Sequence, residues 1–309
     1  MIQEVKDSYP DISLDRICRL LGVSRQAYYQ NGWFEEKVTA GQAMVLEQVR
    51  QIRSTHPSIG TKKLYVMLQP LLQEHHIKMG RDALFDLLSA HQMLVRRRKR
   101  RVYTTQSNHW FKKYPNLIEQ MELIRPNQLW VADITYYKIP QGYIYINLIT
   151  DAYSKKILGY HAADNLEAGN NVKSLEMALA TLSSAPSDFF LIHHSDRGLQ
   201  YCSKEYVRLL QAHKITISMT EDGNPLKNAI AERINGIIKH EYLKYYSIRN
   251  RADAMLALSE AVLLYNQERP HWSCNLLTPE TIHKEKMAAK KLWKNYYKAK
   301  GTKIREKSF

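Results

Sequence analysis

Apolar residues along this chain follow two different periods. Up to about residue 95 they recur every three or four positions, and beyond about residue 125 they come in β-branched and aromatic runs. In DISLDRICRLLGVSRQAYYQ, residues 11–30, Leu14, Ile17, Leu20 and Leu21 mark one helix. Gly22 ends it and Ser24 can cap the next. Two helices around a glycine turn predict a helix-turn-helix, with Arg25, Gln26 and Tyr29 facing outward from the second; an ordinary helical hairpin has the same pattern. Val45, Leu46, Val49 and Ile52 mark a further helix, which HPSIG breaks. Leu64, Met67, Leu68, Leu71 and Leu72 mark the next, HHIKMG is a turn, and Leu84, Phe85, Leu87 and Leu88 mark a third.

Beyond the change of period, LWVADITYYKI, YIYINLITDAYS and KILGYHAAD read as three strands, with a turn at Gly142 and another over Asp151–Lys155. NVKSLEMALATL is a helix, FFLIHHSD a strand running into a polar loop, SKEYVRLLQAHK a helix and ITISMT a short strand. A long helix starts near Asn228 and another spans Arg251–Asn266. That order predicts an α/β domain of RNase-H-like type, a sheet with helices on both faces, preceded by all-α helix-turn-helix units. There are no internal repeats.

Charge sharpens the organisation. The 309 residues carry a formal net +15. Residues 96–113 hold eight Lys/Arg and no acid, and residues 284–309 hold ten Lys/Arg against two Glu, so each block contributes +8 and the rest of the chain nets −1. The first block opens on six consecutive cations, Arg96, Arg97, Arg98, Lys99, Arg100 and Arg101. Such a run repels itself and does not pack in a core, whereas beside a polyanion it releases condensed counterions. A solvated tail is the plainer reading of each block alone, and a membrane surface also suits the C-terminal one, with Trp293, Tyr296 and Tyr297 among its lysines. The expected domains are a helix-turn-helix at 1–34, a second helical, helix-turn-helix-like DNA-binding unit with its basic segment at 40–103, a linker at 104–122, the α/β core at 123–285 and a basic tail at 286–309.

No apolar run approaches the ~20 residues of a membrane span, and the polar start MIQEVKDSYPD is unlike a signal peptide. A cytoplasmic, nucleoid-associated protein is expected. Cys18, Cys202 and Cys274 are far apart, which argues for buried thiols rather than disulfides or a zinc site.

Three acids draw attention. Asp133 lies inside the first strand, where a carboxylate is costly unless paired or ligating. Asp196 ends the fourth strand, where α/β sheets commonly present functional groups. Glu232 is on the helix after Asn228, and Asn228, Glu232, Asn235 and Lys239 share one polar stripe of it at i, i+4, i+7 and i+11. Two strand positions and a helix suit hard cations bound through oxygen, and a pair of Mg²⁺ ions about 4 Å apart suits in-line phosphoryl displacement. Any one of these acids taken alone is more often a salt bridge or a cap.

The stretches LWVADITYY, HHSDRGLQY, ISMTEDGNPLKNAIAERINGIIKHE, YNQERPH and LTPE change that balance. Through them the sequence resembles the DDE transposases of bacterial insertion sequences, specifically the OrfB product of the insertion-sequence-three family, which share the catalytic core of retroviral integrases. Thirty-five residues separate Asp196 from Glu232, the family's D-35-E spacing, and Lys239 stands seven residues after Glu232, where the family places a basic residue. The resemblance is strong over roughly 125–285 and looser over 1–103. It implies that Asp133, Asp196 and Glu232 are catalytic metal ligands for Mg²⁺, with Mn²⁺ able to substitute, and that Lys239 contacts DNA near the cleaved end. Arg197, Gly198, Asn224 and Asn228 match positions lining the same site, and Asn235 belongs to its supporting stripe. His194 matches a family position that supports the site, and a structural histidine fits equally well. Leu226-Lys227 departs from the family's usual Tyr-Asp, and Leu199 from its usual small residue. Asp151, a further acid at a strand end, reads as a turn residue.

The same resemblance implies that activated water nicks the transposon end and that the freed 3′-OH attacks target DNA in line, without a covalent protein–DNA intermediate. Terminal inverted repeats would be bound by the N-terminal helical units and segment 96–101, and paired-end chemistry implies at least a homodimer on DNA. Because this chain has no heptad zipper, an upstream helix-turn-helix/leucine-zipper OrfA protein is an expected partner or frameshift fusion. Two other functions fit part of the pattern. One is a DNA-binding regulator that only represses. The other is a structure-specific nuclease with the same fold and no joining step.

Overall fold

The computed structural model describes residues 2–95, 112–119, 121–182, 190–220 and 228–285, with backbone alone at residues 3, 4 and 31–39. The basic run Arg96–Arg101, the tail 286–309 and Asn224 lie outside the described residues. The chain divides into two compact units, Met1–Ser54 with Gly60–Val95, and Thr55–Ile59 with Arg96–Phe309.

The first unit is helical: α1 (Ile2–Ser8), α2 (Leu14–Leu20), α3 (Arg25–Thr55), α4 (Thr61–Glu74) and α5 (Arg81–Ala90). Ser13 caps α2, its side chain accepting from Arg16 N. Gly22, at φ +69°, makes the left-handed turn that closes the helix while Val23 N bonds Cys18 O. Ser24 Oγ then accepts from Ala27 N at 3.0 Å and starts α3. Ile17 and Cys18 are buried, but Leu20, expected on the same apolar face, is 75% exposed. One helix, α3, runs 31 residues straight through the stretch between 34 and 40 where a boundary between two units was expected. HPSIG does end it, and α4 and α5 bury Leu64, Leu68 and Leu72, and Leu84, Leu87 and Leu88.

The second unit is built on five strands, β1 (Leu129–Ile139), β2 (Gly142–Asp151), β3 (Ile157–Ala163), β4 (Ile192–Ser195) and β5 (Thr216–Met219), in the order β3-β2-β1-β4-β5. The first three are antiparallel, and β4 is parallel to β1 and β5. The helices are α6 (Ala168–Ala180), α7 (Lys204–Ala212), α8 (Ala229–Ile237), α9 (Arg251–Gln267) and α10 (Pro279–Glu285). This is the RNase-H-like arrangement expected.

Alternation along the strands makes two cores. Trp130, Ala132 and Ile149 face one side and pack with Leu175 of α6 and Tyr206 and Leu210 of α7. Ile144, Ile146 and Leu148 face the other and pack with Ile234 and Ile237 of α8 and Leu258, Ala261 and Tyr265 of α9. Each buried Leu or Ile among them contributes about 1.5–3 kcal/mol. Gly159 lets α6 approach β3 closely, because a Cβ there would drive into the Ser174 carbonyl.

Asp151 is a turn residue, as its position suggested. It is fully buried and accepts from Asn127 N (2.6 Å), Ser154 N (2.6 Å) and Ser154 Oγ (2.7 Å). Cys18, Cys202 and Cys274 are buried, free thiols. Among the described residues no helix is long and apolar enough to cross a membrane.

Candidate active site

The site is organised by helix α8 lying along β1. Three polar residues of the predicted stripe bond that strand between Ala132 and Thr135. Asn228 Nδ2 donates to Ala132 O at 2.9 Å, Asn235 Nδ2 to Asp133 Oδ2 at 2.8 Å, and Lys239 Nζ to Thr135 Oγ1 at 3.1 Å. The stripe thus faces the strand, and Asn228 and Asn235 are buried. Asn228, expected beside DNA, is anchored through its Nδ2 to the β1 backbone.

The helix does not reach Lys239 in α-geometry. It passes at Ile238–Tyr242 into a π-helical turn that carries Lys239. Single π-turns often mark functional positions. Arg269, 1% exposed, holds this one through two bonds to Glu241, Nε to Oε2 at 2.8 Å and Nη2 to Oε1 at 3.0 Å. Sequence reasoning gave neither residue a role. The signal lay in the complementary charges of IIKHE and YNQERPH, a pairing that only the fold brings together.

Asp133 is partly buried, and its Oδ1 accepts from Ile134 N at 3.0 Å. Its carboxyl is pushed up to about 7, by burial first and then by the charges of Asp196 and Glu232, against the bonds from Asn235 and Ile134 that pull it down. Two of the three expected acids are therefore close enough to oppose the ionisation of the third. Asp196 leaves the end of β4 and accepts from Gly198 N at 3.0 Å. A Cβ at Gly198 would stand 3.0 Å from Asp196 Oδ1 and 3.2 Å from Gln200 Oε1, so a side chain there would press on the carboxylate. Glu232 sits exposed in the first turn of α8, where the helix dipole favours a negative charge. Its carboxyl is raised by partial burial. Burial lowers the Lys239 ammonium and the Asp133 carboxylate partly restores it.

His194 is fully buried in β4, with Nδ1 2.8 Å from Ser218 Oγ of β5. Arg197 is partly buried after Asp196, and Leu199 is 48% exposed. Arg25 and Gln26 are exposed at the start of α3 in the helical unit. Among the described residues no three His, Cys, Asp or Glu side chains stand close enough together to hold a metal ion as they are. The donor set is nonetheless carboxylate oxygen, with mutual repulsion that a bound cation would relieve.

Comparison with known proteins bears on what such a site does. Residues 124–225 match an integrase core domain family, and residues 213–279 match a second family of the same description. The chain is 33% identical over 276 residues to the insertion element IS600 uncharacterized 31 kDa protein of Shigella sonnei, covering 87% of this chain and 98% of that one. It is 32% identical to the transposase for insertion sequence element IS629 of Shigella sonnei, over 69% of this chain and 70% of that one. It is 30% identical to transposase InsF for insertion sequence IS3A of Escherichia coli (strain K12), over 56% and 60% respectively. A solved structure, the HTLV-2 integrase catalytic core domain in complex with magnesium, aligns with 52% of this chain and 98% of that one, at 21% identity and a TM-score of 0.42. Sheet order, integrase-core match and near full-length similarity agree: the chain belongs to the DDE-type insertion-sequence transposases, polynucleotidyl transferases with an integrase core.

Proposed function

We propose that this chain cuts and joins DNA at the terminal inverted repeats of an insertion sequence, with Asp133, Asp196 and Glu232 as its catalytic carboxylates. The observation that carries the reading is the electrostatic convergence on Asp133, whose carboxyl is opposed by both other acids while Asn235 fixes its orientation. A site of this kind, short of positive charge, suits Mg²⁺, with Mn²⁺ as a substitute. Bound there, divalent cations would sharpen the attacking oxygen and neutralise the leaving one.

The chain's own groups do the positioning. The β1–α8 bonds hold Asp133 rigidly in the strand, so the carboxylate is set before DNA arrives. Lys239, fixed by Thr135 beside Asp133, offers its ammonium to a phosphate of the strand being cut. Glu232 is exposed in the first turn of α8, open to a cation or to DNA. Two in-line displacements follow from one site, first by water to free a 3′-OH and then by that 3′-OH on target DNA. The helical unit, with Arg25 and Gln26 exposed at the start of α3, and the basic run Arg96–Arg101 take the repeat ends. Joining two ends calls for at least two copies on DNA, with an OrfA-type partner or fusion supplying the zipper.

Strand-transfer assays with Asp133→Asn, Asp196→Asn and Glu232→Gln, in Mg²⁺ or Mn²⁺, test this. Each variant should lose cleavage and joining and keep DNA binding. Full activity in any one removes that residue from the site, and hydrolysed products that are never joined would indicate a nuclease instead.

A further inference from the structure

Beyond residue 131 strand β1 leaves its neighbour, since its pairing with β4 covers only Leu129–Val131. Lys239 bonds Thr135 on the α8 face and also lies 5.0 Å from the ring centroid of Tyr136. Tyr136 points to the opposite face of the sheet from Asp133, because the two are an odd number of residues apart. It pairs across the hairpin with Tyr145 and meets Tyr143 edge to face, centroids 5.6 Å apart and planes at 90°. Tyr136 and Tyr143 are each 48% exposed. Two aromatic rings therefore stand at the surface, Tyr136 about 10 Å and Tyr143 about 16 Å along the sheet from Asp133. They are joined to the site by one lysine. Nothing in the chemistry of the three carboxylates requires them.

We propose that Tyr136 and Tyr143 form a stacking platform for an unpaired base of the DNA strand that enters the site. The proposal deepens the function given above and rests on it only for the identity of the strand. Aromatic faces beside a backbone-binding cation are how proteins take single-stranded nucleic acid without reading its sequence. Here Lys239 supplies the cation and also fixes the Tyr136 ring through its cation–π contact. Lys138, exposed and paired across the hairpin with Tyr143, adds positive charge on the same face. Beyond Tyr143 the surface opens into a cavity of about 450 Å³, lined among others by Tyr145, Asn250, Arg251 and the acid Asp164, which is room for a nucleotide. A strand bent over the β1 edge would present its phosphate to Asp133 and Lys239 on one side and its neighbouring base to the tyrosines on the other. Unstacking that base frees the phosphodiester from the duplex and is the service the platform would provide.

The test needs no catalysis. In EDTA, the full chain is titrated with a DNA duplex that has one splayed, non-complementary end carrying 2-aminopurine, and with the same duplex blunt. The wild type should prefer the splayed end. Tyr136→Ala should weaken splayed-end binding roughly tenfold and leave blunt binding unchanged, while Tyr136→Phe retains the preference. Tyr143→Ala should weaken it less. The 2-aminopurine should be quenched on the wild type and on Tyr136→Phe, and not on Tyr136→Ala. Both rings are exposed, so matching thermal melts would establish that the variants fold. Equal binding of both duplexes by the wild type, or equal loss on both by Tyr136→Ala, overturns the platform. Cleavage in Mg²⁺ is measured alongside. A wild type that shows the preference but cuts and joins nothing counts against the proposed reaction and for the platform. A wild type that cuts, with Tyr136→Ala unchanged in splayed-end binding, sinks the platform alone.

Discussion

Asn235 donates its amide to Asp133 from a helix more than a hundred residues away in sequence, Nδ2 to Oδ2 at 2.8 Å. The bond favours the ionised carboxylate against burial and against the charges of Asp196 and Glu232. Asn235→Ala should raise the Asp133 pKa above its present value of about 7. Cleavage near neutral pH should then fall about 10–100-fold, the usual scale for losing the residue that orients a ligand. Part of the loss should return in alkaline buffer, because more of the Asp133 population ionises. A pH–rate profile of wild type and variant checks this, and a uniform drop at every pH would mean that Asn235 acts on something other than the Asp133 proton.

The same carboxyl makes stability depend on pH. Its folded-state pKa is raised from an ordinary 3.8 to about 7, burial first and Asp196 second. Between those values the folded protein holds a proton that the unfolded chain has released. The stability this carboxyl contributes is therefore fully present below the ordinary carboxylate range and is lost as pH rises through about 7. At one pKa unit per 1.36 kcal/mol, the loss is at most about 4 kcal/mol. Urea denaturation in EDTA across that window should show it, and Asp133→Asn should remove it. Added Mg²⁺ should raise the melting temperature more in mildly alkaline than in acidic buffer, since a cation binds the carboxylate and not the acid. A melting shift independent of pH would count against Asp133 as a ligand.

How far the sequence carried depended on whether the determinants were local. LWVADITYYKI is dense in β-branched and aromatic residues, and β1 has those same limits, Leu129–Ile139. The polar stripe on α8 was legible because a 3.6-residue period is local too. The π-turn was not, because it leans on Arg269, 28 residues beyond Glu241. The expected boundary between 34 and 40 has no counterpart in the helix, because α3 carries its two glycines, Gly32 and Gly41, at only about 1 kcal/mol each over 31 residues. The three carboxylates could be placed on a strand, a strand end and a helix. That Asn228 is buried, and that Tyr136 meets Tyr143, follows from helix packing and hairpin register, neither of which any short window of sequence contains.

Gly159 offers a sharp test of the sheet face opposite Asp133. Its missing Cβ lets the α6 backbone at Ser174 pass directly over β3, with Ala178 alongside. Gly159→Ala must push α6 away from Leu158 and Ile149, and overpacking of this kind costs about 1–3 kcal/mol or more. Chemical denaturation should find that loss, whereas Gly169→Ala, where nothing stands within 4 Å, should be neutral or slightly stabilising. Equal behaviour of the two variants would contradict the close packing of α6 on β3.

The Arg269–Glu241 pair separates holding the fold from shaping the site. Arg269 is buried, its guanidinium lies 5.7 Å from the Tyr265 ring centroid, and Tyr265 in turn bonds Lys155 O at 2.9 Å. Arg269→Met leaves Glu241 without its guanidinium and should cost about 3 kcal/mol, the low end for breaking a buried pair because Glu241 is 22% exposed. Adding Glu241→Gln removes the stranded charge and should return much of that stability, as replacement of a buried pair by neutral groups often does. Cleavage should respond differently. Lys239 projects from the π-turn that Glu241 belongs to, so relaxing the turn to regular helix rotates Lys239 away from Thr135 and Tyr136. At a temperature where both variants are fully folded, the double variant should remain about tenfold slower than wild type, the size of effect expected when a positioned group shifts slightly. If activity recovers together with stability, the pair only holds the core, and the geometry of the π-turn is irrelevant to the reaction.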